Sequence, residues 1–163
     1  MLQTFANGAM EWFVDHDRHV LFGRWSGEFG GEELLTASPL LWRQHPEVVN
    51  YGAIHDVLDF TGVIEHRYSR ELMRRTVEAF GSPDPGRRTA IVTSDPMKIF
   101  EIKVVKAEAQ DRLLRLFGNN AVALEWVAAD EPGNPSACGS RSAAPLPWWF
   151  EPQPATVASG VRC

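Results

Sequence analysis

Along most of the chain, hydrophobic residues recur at regular spacing, and this spacing predicts the elements of a folded domain. Strands are predicted at Met10–Val14 and His19–Trp25, and the polar turn Asp15–Arg18 between them has the length of a hairpin loop. A helix is predicted over 32–44, where the leucines and a tryptophan form one apolar stripe. Pro39 lies inside that helix, so we expect a kink or a division into two short helices.

The middle of the chain continues with alternating strands and helices. A strand of buried type lies within Tyr51–Phe60, and the clearest amphipathic helix spans Ser69–Phe80, where apolar residues recur every three or four positions. A further strand is predicted at Thr89–Thr93. Residues 96–109 fit either an edge strand or a helix, and the capping sequence Ser94-Asp95-Pro96 decides for a helix.

The last predicted elements are the strand Leu113–Phe117 and a final helix capped by Asn119-Asn120. After the initial hairpin, strands and helices therefore alternate, and this order requires a parallel sheet with helical connections. The sequence predicts an α/β fold: a mostly parallel sheet of about five strands with an N-terminal antiparallel hairpin and about four helices.

The C-terminal part of the chain, residues 131–163, has a different composition. It holds six of the eleven prolines, is rich in Ala and Ser, and its two acidic and two basic residues cancel. Proline removes backbone donors that helices and strands need. We therefore predict an α/β domain over 1–130 and a flexible tail over 131–163. Within the tail, the aromatic run Trp148-Trp149-Phe150 is either a patch that docks on a surface or a chance cluster.

Composition and charge narrow the class of protein. With 163 residues, of which 44% are hydrophobic and 23% charged, the chain suits one globular domain. The formal net charge of −5 argues against binding of nucleic acid, and no apolar run is long enough to span a bilayer. Cys138 and Cys163 lie outside the patterned region and indicate neither a disulfide scaffold nor a zinc site. We expect a cytoplasmic protein of bacterial type without nucleic-acid partners or integral membrane association.

Short motifs spread over the domain carry a family resemblance. They are Trp25-Ser26-Gly27, Leu41–Pro46, Asp56–Gly62, Arg88–Val92 with Asp95-Pro96, and Ala123–Trp126. In these motifs the chain resembles the STAS-like proteins, small relatives of the anti-sigma factor antagonists that share a fold type with the lipid-binding CRAL-TRIO domain. The resemblance covers nearly all of residues 8–129. It implies a STAS-type fold and, for many members, no assigned activity.

The resemblance places Ser69 at the phosphoacceptor position of the phosphorylatable STAS domains. In those domains an Asp-Ser-Ser-Gly loop stands at a helix N-terminus, where backbone N–H groups would stabilise the phosphate. Here the preceding acid and the following glycine are absent, although Arg67 and Arg70 would attract a phosphate. The alternative is that Ser69 is simply the N-cap of the helix that ends at Phe80.

Candidate catalytic residues lie at the carboxyl end of the third predicted strand and just after it. Asp56 and Asp59 lie near its carboxyl end, where open α/β sheets bind ligands, and His66 comes shortly after. His55 adjoins Asp56 in the strand and so points to the opposite face, which prevents the two from acting as a pair. The turn at 15–19 contains two histidines and two aspartates, but we expect these to be solvated, and we predict no metal and no other cofactor.

Two hypotheses about function follow. The first is a non-enzymatic STAS-like module that binds a partner protein or a small apolar or anionic ligand, with Arg67, Arg70 and Trp148-Trp149-Phe150 as contact residues. The alternative is a small enzyme that uses the three carboxylate and histidine residues at the rim of the sheet. A homodimer joined through the aromatic run is a further expectation. Four tryptophans at apolar positions would fill the core or line a groove between helices: Trp12, Trp25, Trp42 and Trp126.

Overall fold

The strands lie side by side in the order in which they occur in the chain, and helices pack on both faces of the sheet. The computed structural model describes residues 1–81, 86–98, 113–129 and 145–150. The elements are β1 (Leu2–Thr4), β2 (Asn7–Asp15), β3 (Val20–Glu28), α1 (Gly31–Gln44), a short 3-10 helix (Pro46–Asn50), β4 (Gly52–Phe60), α2 (His66–Phe80), β5 (Arg88–Val92), β6 (Leu113–Phe117) and α3 (Asn120–Ala128).

The sheet has an antiparallel and a parallel part. Strands β1, β2 and β3 pair antiparallel, and β3, β4, β5 and β6 pair parallel. This confirms the predicted α/β fold with its N-terminal hairpin. Within the described residues the sheet has six strands rather than about five, because β1 also pairs with β2. With three residues, β1 is too short to show a periodic pattern.

Two local features shape the N-terminal hairpin. Asp15 is buried, and its carboxylate accepts a hydrogen bond from the backbone N–H of Arg18 at 3.0 Å and pairs with the Arg18 guanidinium. At the other end of the hairpin, Gly27 has a φ of 68°, and a Cβ there would lie 2.2 Å from the carbonyl oxygen of Asn7. Only glycine fits this position, since any side chain would collide with the neighbouring backbone.

Helices α1 and α2 cover one face of the sheet. The buried residues of this first core come from the sheet, from α1 and from the connections that follow β3 and α1: Met10, Trp12, Leu21, Phe29, Leu34, Ala37, Leu41, Val48, Ala53, Val57 and Phe60. The two helices also touch directly. Tyr68 of α2 lies so close to Gly31 of α1 that a Cβ on Gly31 would be 2.0 Å from the tyrosine ring.

Helix α3 and residues 145–150 cover the other face. The buried residues of this second core are Val20, Phe22, Ile54, Ala90, Val92, Ala123, Val127 and Phe150. Phe150 is 4% exposed, so the aromatic run of the C-terminal segment packs on its own sheet. The remaining residues of 131–163 lie outside the described residues, and the domain boundary at residue 130 stays a prediction for them.

The helix boundaries exclude one of the two alternatives for α1 and correct the expectation for Ser69. Helix α1 continues through Pro39 from Gly31 to Gln44 and is not divided into two short helices, because residues on both sides of the proline are anchored in the first core. Helix α2 begins at His66, three residues before Ser69. Its N-cap is Glu65, so the expectation that Ser69 is the N-cap was wrong.

Two other predicted caps are confirmed. The carboxylate of Asp95 accepts a hydrogen bond from the backbone N–H of Met97 at 2.9 Å, and residues 96–98 are helical. The rest of the helix predicted to end at residue 109 lies outside the described residues. The side-chain oxygen of Asn119 accepts from the N–H of Val122 at 2.9 Å and starts α3. Within the described ranges, no helix combines the length and apolar character needed to cross a membrane, and the cellular location stays a prediction.

Candidate functional site

A cavity of about 280 Å³ lies between the sheet and helices α1 and α2. Its walls are mostly apolar and come from both helices and from strands β2 to β6. Three of the four tryptophans noted in the sequence, Trp12, Trp25 and Trp42, line it. Trp126 belongs instead to the other face, where its ring lies 5.4 Å from that of Phe117. The tryptophans of the first face therefore line a hollow as well as fill a core.

The position of β3 in the sheet explains part of the hollow. Gly23 lies between Trp12 of β2 and His55 of β4 in the sheet pairing. A Cβ on Gly23 would be 3.0 Å from His55 Nδ1 and 3.7 Å from Trp12 Cδ1. Glycine at this position therefore lets both side chains sit close over the strand. His55 lines the cavity, and it is the polar group at the centre of the floor formed by the sheet.

An aromatic cluster forms one end of the cavity. The ring of Trp25 lies 5.5 Å from Phe60, 5.7 Å from Phe29 and 5.7 Å from His55. The indole Nε1 of Trp25 is buried and has no hydrogen-bond partner among the described residues. A buried donor without a partner costs about 1–3 kcal/mol, so this N–H is a site where an acceptor on a bound molecule would be stabilised.

A cation stands beside the same cluster. The ammonium group of Lys98 lies 5.1 Å from the centre of the Phe60 ring and donates to the backbone carbonyl of Phe60. It also lies 3.5 Å from the carboxylate of Asp95. The backbone N–H of Met97 and the charge of Lys98 hold the pKa of Asp95 below its ordinary value. Lys98 therefore supplies a positive charge to a cavity whose walls are mostly apolar.

A second cation and two hydroxyl groups complete the polar lining. Arg87 precedes β5 and donates from Nη1 to the carbonyl of Val49 at 2.6 Å. Thr76 of α2 donates its hydroxyl to the carbonyl of Leu72 at 2.8 Å, so its own hydrogen bond is satisfied within the helix. Ser38 of α1 is buried and also lines the cavity. The cavity thus combines apolar walls with a few fixed polar groups, as small-molecule sites do.

Asp56, the first of the three candidate catalytic residues, is buried and hydrogen-bonded within the protein. It is buried, and its carboxylate accepts from Asn120 Nδ2 at 2.7 Å and from the backbone N–H of Leu58 at 3.1 Å. Asn120 is the first residue of α3, so Asp56 points away from the cavity and toward the second core. His55 lines the cavity on the opposite face, which confirms that the two neighbours in β4 diverge.

Asp59 and His66 do not join Asp56. Asp59 is exposed and accepts from the guanidinium of Arg24 at 2.7 Å. Arg24 in turn stands 6.0 Å from the ring of Trp148, so Asp59 also belongs to the face covered by α3 and the C-terminal segment. His66 begins α2 on the other face. None of the three lines the cavity, so the geometry does not assemble the predicted rim site.

Ser69 and its neighbouring arginines lie at the start of α2. Ser69 is half-buried, within the first turns of the helix, and lines the cavity. Arg67 is exposed, pairs with Glu65 at 2.8 Å and stacks over the ring of Tyr68 at 4.6 Å. Arg70 is exposed on the same helix. Ser69 stays a phosphoacceptor candidate, and it lines the cavity from the first turns of α2.

The aromatic run is divided between the interior and the surface. Phe150 is buried and Trp149 partly buried against the second core, whereas Trp148 is 79% exposed. A hydrogen bond of 2.8 Å from the backbone N–H of Phe150 to the carbonyl of Pro147 closes the turn that directs these side chains apart. The run therefore contacts its own chain through two residues and solvent through one.

The sequence hypotheses overlooked His55 and Lys98 as cavity residues. In the sequence, His55 stands next to Asp56 in a predicted strand, and Lys98 lies in a predicted helix. The available signal was the alternation within β4, because residues 53, 55 and 57 share the face to which the helices pack. Lys98 gave no such signal, since it reaches the cavity from a connection after β5.

Comparison with known proteins supports the fold. No protein-family model and no curated protein matches the sequence. Among solved structures, the chain is similar to an uncharacterized protein of the DUF3478 family from Shewanella loihica PV-4, described as having a SpoIIAA-like fold. The TM-score is 0.53 and the sequence identity 16%, over 78% of this chain and 98% of that chain. The chain therefore has a SpoIIAA-like, that is STAS-like, fold. At this identity the likeness establishes the fold alone.

Proposed function

We propose that this protein is a non-enzymatic binding module whose cavity between the sheet and helices α1 and α2 holds a small ligand. The ligand has an apolar body and a hydrogen-bond acceptor, such as a carboxylate. One observation carries the proposal: the buried Trp25 Nε1 has no hydrogen-bond partner among the described residues. The Trp25 side chain lines a preformed, mostly apolar hollow, and Lys98 stands beside the same aromatic cluster. The Trp25 N–H donor and the positive charge of Lys98 both favour a ligand that carries an oxygen acceptor.

The volume of the cavity limits the size of the ligand. An engineered cavity of about 150 Å³ lined by apolar side chains binds benzene. The cavity here, at about 280 Å³, is nearly twice as large. Its size therefore suits a bicyclic aromatic acid or a medium-chain fatty acid rather than a full-length lipid. The apolar walls would supply most of the affinity, and the polar groups would set the orientation.

The alternative of a small enzyme has less support. An acid–base mechanism needs its groups within hydrogen-bond reach of one another or of a shared substrate. Asp56 and Asp59 lie on the face opposite to the cavity, where Asn120 and Arg24 are their partners. His66 begins a helix on the cavity side and does not line the hollow. The geometry therefore favours binding over catalysis.

Calorimetric titration of the full-length protein tests the proposal. The probes are 2-naphthoate and octanoate, with 2-methylnaphthalene as the uncharged comparison. Trp25→Phe keeps an aromatic ring against Phe29 and Phe60 but removes the N–H donor. We expect this variant to bind the carboxylates about tenfold to a hundredfold more weakly, because a lost hydrogen bond to a charged group costs about 1.5–3 kcal/mol. Its affinity for 2-methylnaphthalene should change much less.

Trp126→Phe is the matched control, since Trp126 lies on the other face of the sheet. It should bind all three probes as the parent protein does. The proposal is wrong if none of the probes binds the parent, or if Trp25→Phe and Trp126→Phe weaken binding equally.

A partner protein is a second candidate, and it is favoured by Trp148. This side chain is 79% exposed and stands 6.0 Å from the guanidinium of Arg24. Exposed tryptophan and arginine side chains are enriched in protein interfaces. If the partner is a second copy of this chain, native mass spectrometry of the full-length protein would show a dimer, and Trp148→Ala would convert it to a monomer. A monomer in both samples would remove the homodimer.

A further inference from the structure

Three side chains that bind metals meet at one corner of the domain. His16 lies in the turn between β2 and β3, His45 is the C-cap of α1, and Glu47 lies in the following 3-10 helix. Each offers one ligand atom, and the three atoms lie within 4.8 Å of one another. Nearly thirty residues separate the hairpin turn from the other two in the sequence, so only the packing of α1 beside the hairpin brings them together.

The distances within this cluster are close to those of a zinc site. His45 Nδ1 lies 3.4 Å from Glu47 Oε1, and His16 Nδ1 lies 3.8 Å from the same oxygen. Ligand atoms about 2.1 Å from a tetrahedral zinc ion are about 3.4 Å apart. The largest separation, at most 4.8 Å, therefore has to close by roughly 1.4 Å. His16 is 56% exposed in a turn, so its side chain has the freedom to make this adjustment.

The chemistry of the three groups suits a divalent transition metal. Two imidazoles and one carboxylate are a ligand set found in zinc sites that leave a fourth position for water. A glutamate side chain is ionised at neutral pH, so Glu47 offers an anionic oxygen to the ion. Calcium and magnesium, which prefer oxygen ligands, are disfavoured by the two nitrogens.

The surroundings leave room for an ion and for exchange with solvent. A recess of about 160 Å³ adjoins the cluster, and its walls include His16, His45, Trp12 and the N-terminal Met1. The hydroxyl of Tyr51 lies 3.3 Å from His16 Nδ1. This is the nitrogen that faces Glu47, so a zinc ion bound there would replace its contact with the Tyr51 hydroxyl.

We propose that His16, His45 and Glu47 form a binding site for a zinc ion. The ion ties the β2–β3 hairpin to the connection between α1 and β4. This site differs from a site made only of the turn at 15–19, because His16 comes from that turn whereas His45 and Glu47 follow α1. It is also separate from the cavity of the proposed function, with which it shares no ligand residue.

The test uses the untagged full-length chain carrying Cys138→Ser and Cys163→Ser, which removes thiols as competing ligands. Zinc is titrated in competition with a chromophoric chelator, and cobalt serves as a spectroscopic probe of coordination. We expect one zinc ion per chain. His45→Ala, Glu47→Gln and His16→Ala should each weaken the binding of zinc by about tenfold or more. His66→Ala, a histidine on α2, is the matched control and should bind zinc as its parent does.

Thermal unfolding separates a lost site from a lost fold. At one zinc concentration, zinc should raise the unfolding temperature of the parent and of His66→Ala more than that of His16→Ala, because His16→Ala binds the ion more weakly. Without zinc, His16→Ala should unfold at the temperature of the parent, because the His16 side chain is exposed. A chain without saturable one-to-one binding would overturn the proposal. So would zinc affinity that survives in a His16→Ala, His45→Ala double variant. Either result leaves the cavity proposal untouched, since its probes and variants are different.

Discussion

Phe150 meets Phe22 edge to face, with ring centroids 5.1 Å apart and an angle of 79° between the rings. Phe22 is completely buried in β3, and Phe150 lies more than thirty residues beyond the end of β6. Since α3 has nine residues, it covers only part of this face of the sheet. Among the described residues, 145–150 add to this cover, so the C-terminal segment belongs to the core that it packs against.

Replacing Phe150 tests this relationship. Phe150→Ala should lower the free energy of unfolding by about 3 kcal/mol or more, because a buried phenylalanine is lost and Phe22 is exposed. Urea unfolding followed by circular dichroism measures the change. Val122→Ala, at an exposed position of α3, is the control, and its effect should stay within about 0.5 kcal/mol. Equal effects of the two substitutions would show that the segment is not anchored through Phe150.

The buried hydrogen bond between Asp56 and Asn120 gives a second prediction. Asn120→Ala should cost about 1.5–3 kcal/mol, because the buried carboxyl group of Asp56 loses a partner at 2.7 Å. Asp56→Asn should cost much less. The Oδ1 atom of Asn120 has no partner among the described residues, so its amide can rotate and accept from the new amide group. Chemical denaturation of both variants measures the difference, and an Asp56→Asn cost equal to that of Asn120→Ala would contradict the rotation.

A substitution that fills the cavity should raise the stability of the protein and weaken ligand binding. Ser38→Leu places a larger apolar side chain into the hollow and should stabilise the protein by about 1 kcal/mol. The same variant should bind 2-naphthoate more weakly, because it occupies the volume that the probe needs. Thr36→Leu, at an exposed position of the same helix, should affect neither property through the cavity. A Ser38→Leu protein that binds the probe normally would argue against this cavity as the site.

Glu71, Arg74 and Arg75 form ion pairs on α2, and we expect these pairs to make the stability of the protein depend on pH. Hydrogen bonds from Arg74 and then Arg75 lower the pKa of Glu71 from 4.5 to about 2. A lowered folded-state pKa stabilises the protein above about pH 4.5, and this contribution is lost as the pH falls toward about 2. The difference in urea midpoint between the parent and Glu71→Gln should therefore shrink over this range. When Arg74→Gln and Arg75→Gln are also present, the difference in urea midpoint caused by Glu71→Gln should depend little on pH.

Local sequence signals predicted elements whose formation depends on neighbours in the chain. The cap at Asn119 and the cap at Asp95 each satisfy backbone N–H groups two or three residues ahead, so short segments were enough to predict them. The strand Leu113–Phe117 was predicted with the bounds that the structure has. Alternation within β4 also predicted correctly that His55 and Asp56 face opposite sides of the sheet.

The start of α2 and the continuity of α1 depended on packing instead. A helix interrupted by proline loses a hydrogen bond, and the loss is tolerated in α1 because Leu34 and Leu41 are buried on either side of Pro39. The first turn of α2 forms three residues before Ser69, where Tyr68 packs against Gly31 of α1. Both outcomes rest on contacts between elements, which the pattern within one element does not contain.

By itself, the sequence determined the α/β class, the N-terminal hairpin and the order of strands and helices, because periodicity and capping act over a few residues. The tertiary structure alone decided where the cavity lies, that Phe150 covers Phe22, and that His16 meets His45 and Glu47. These relationships join residues that are far apart in the chain. They form only when the packing of helices on the sheet fixes their distances, and no local pattern of polar and apolar residues specifies such distances.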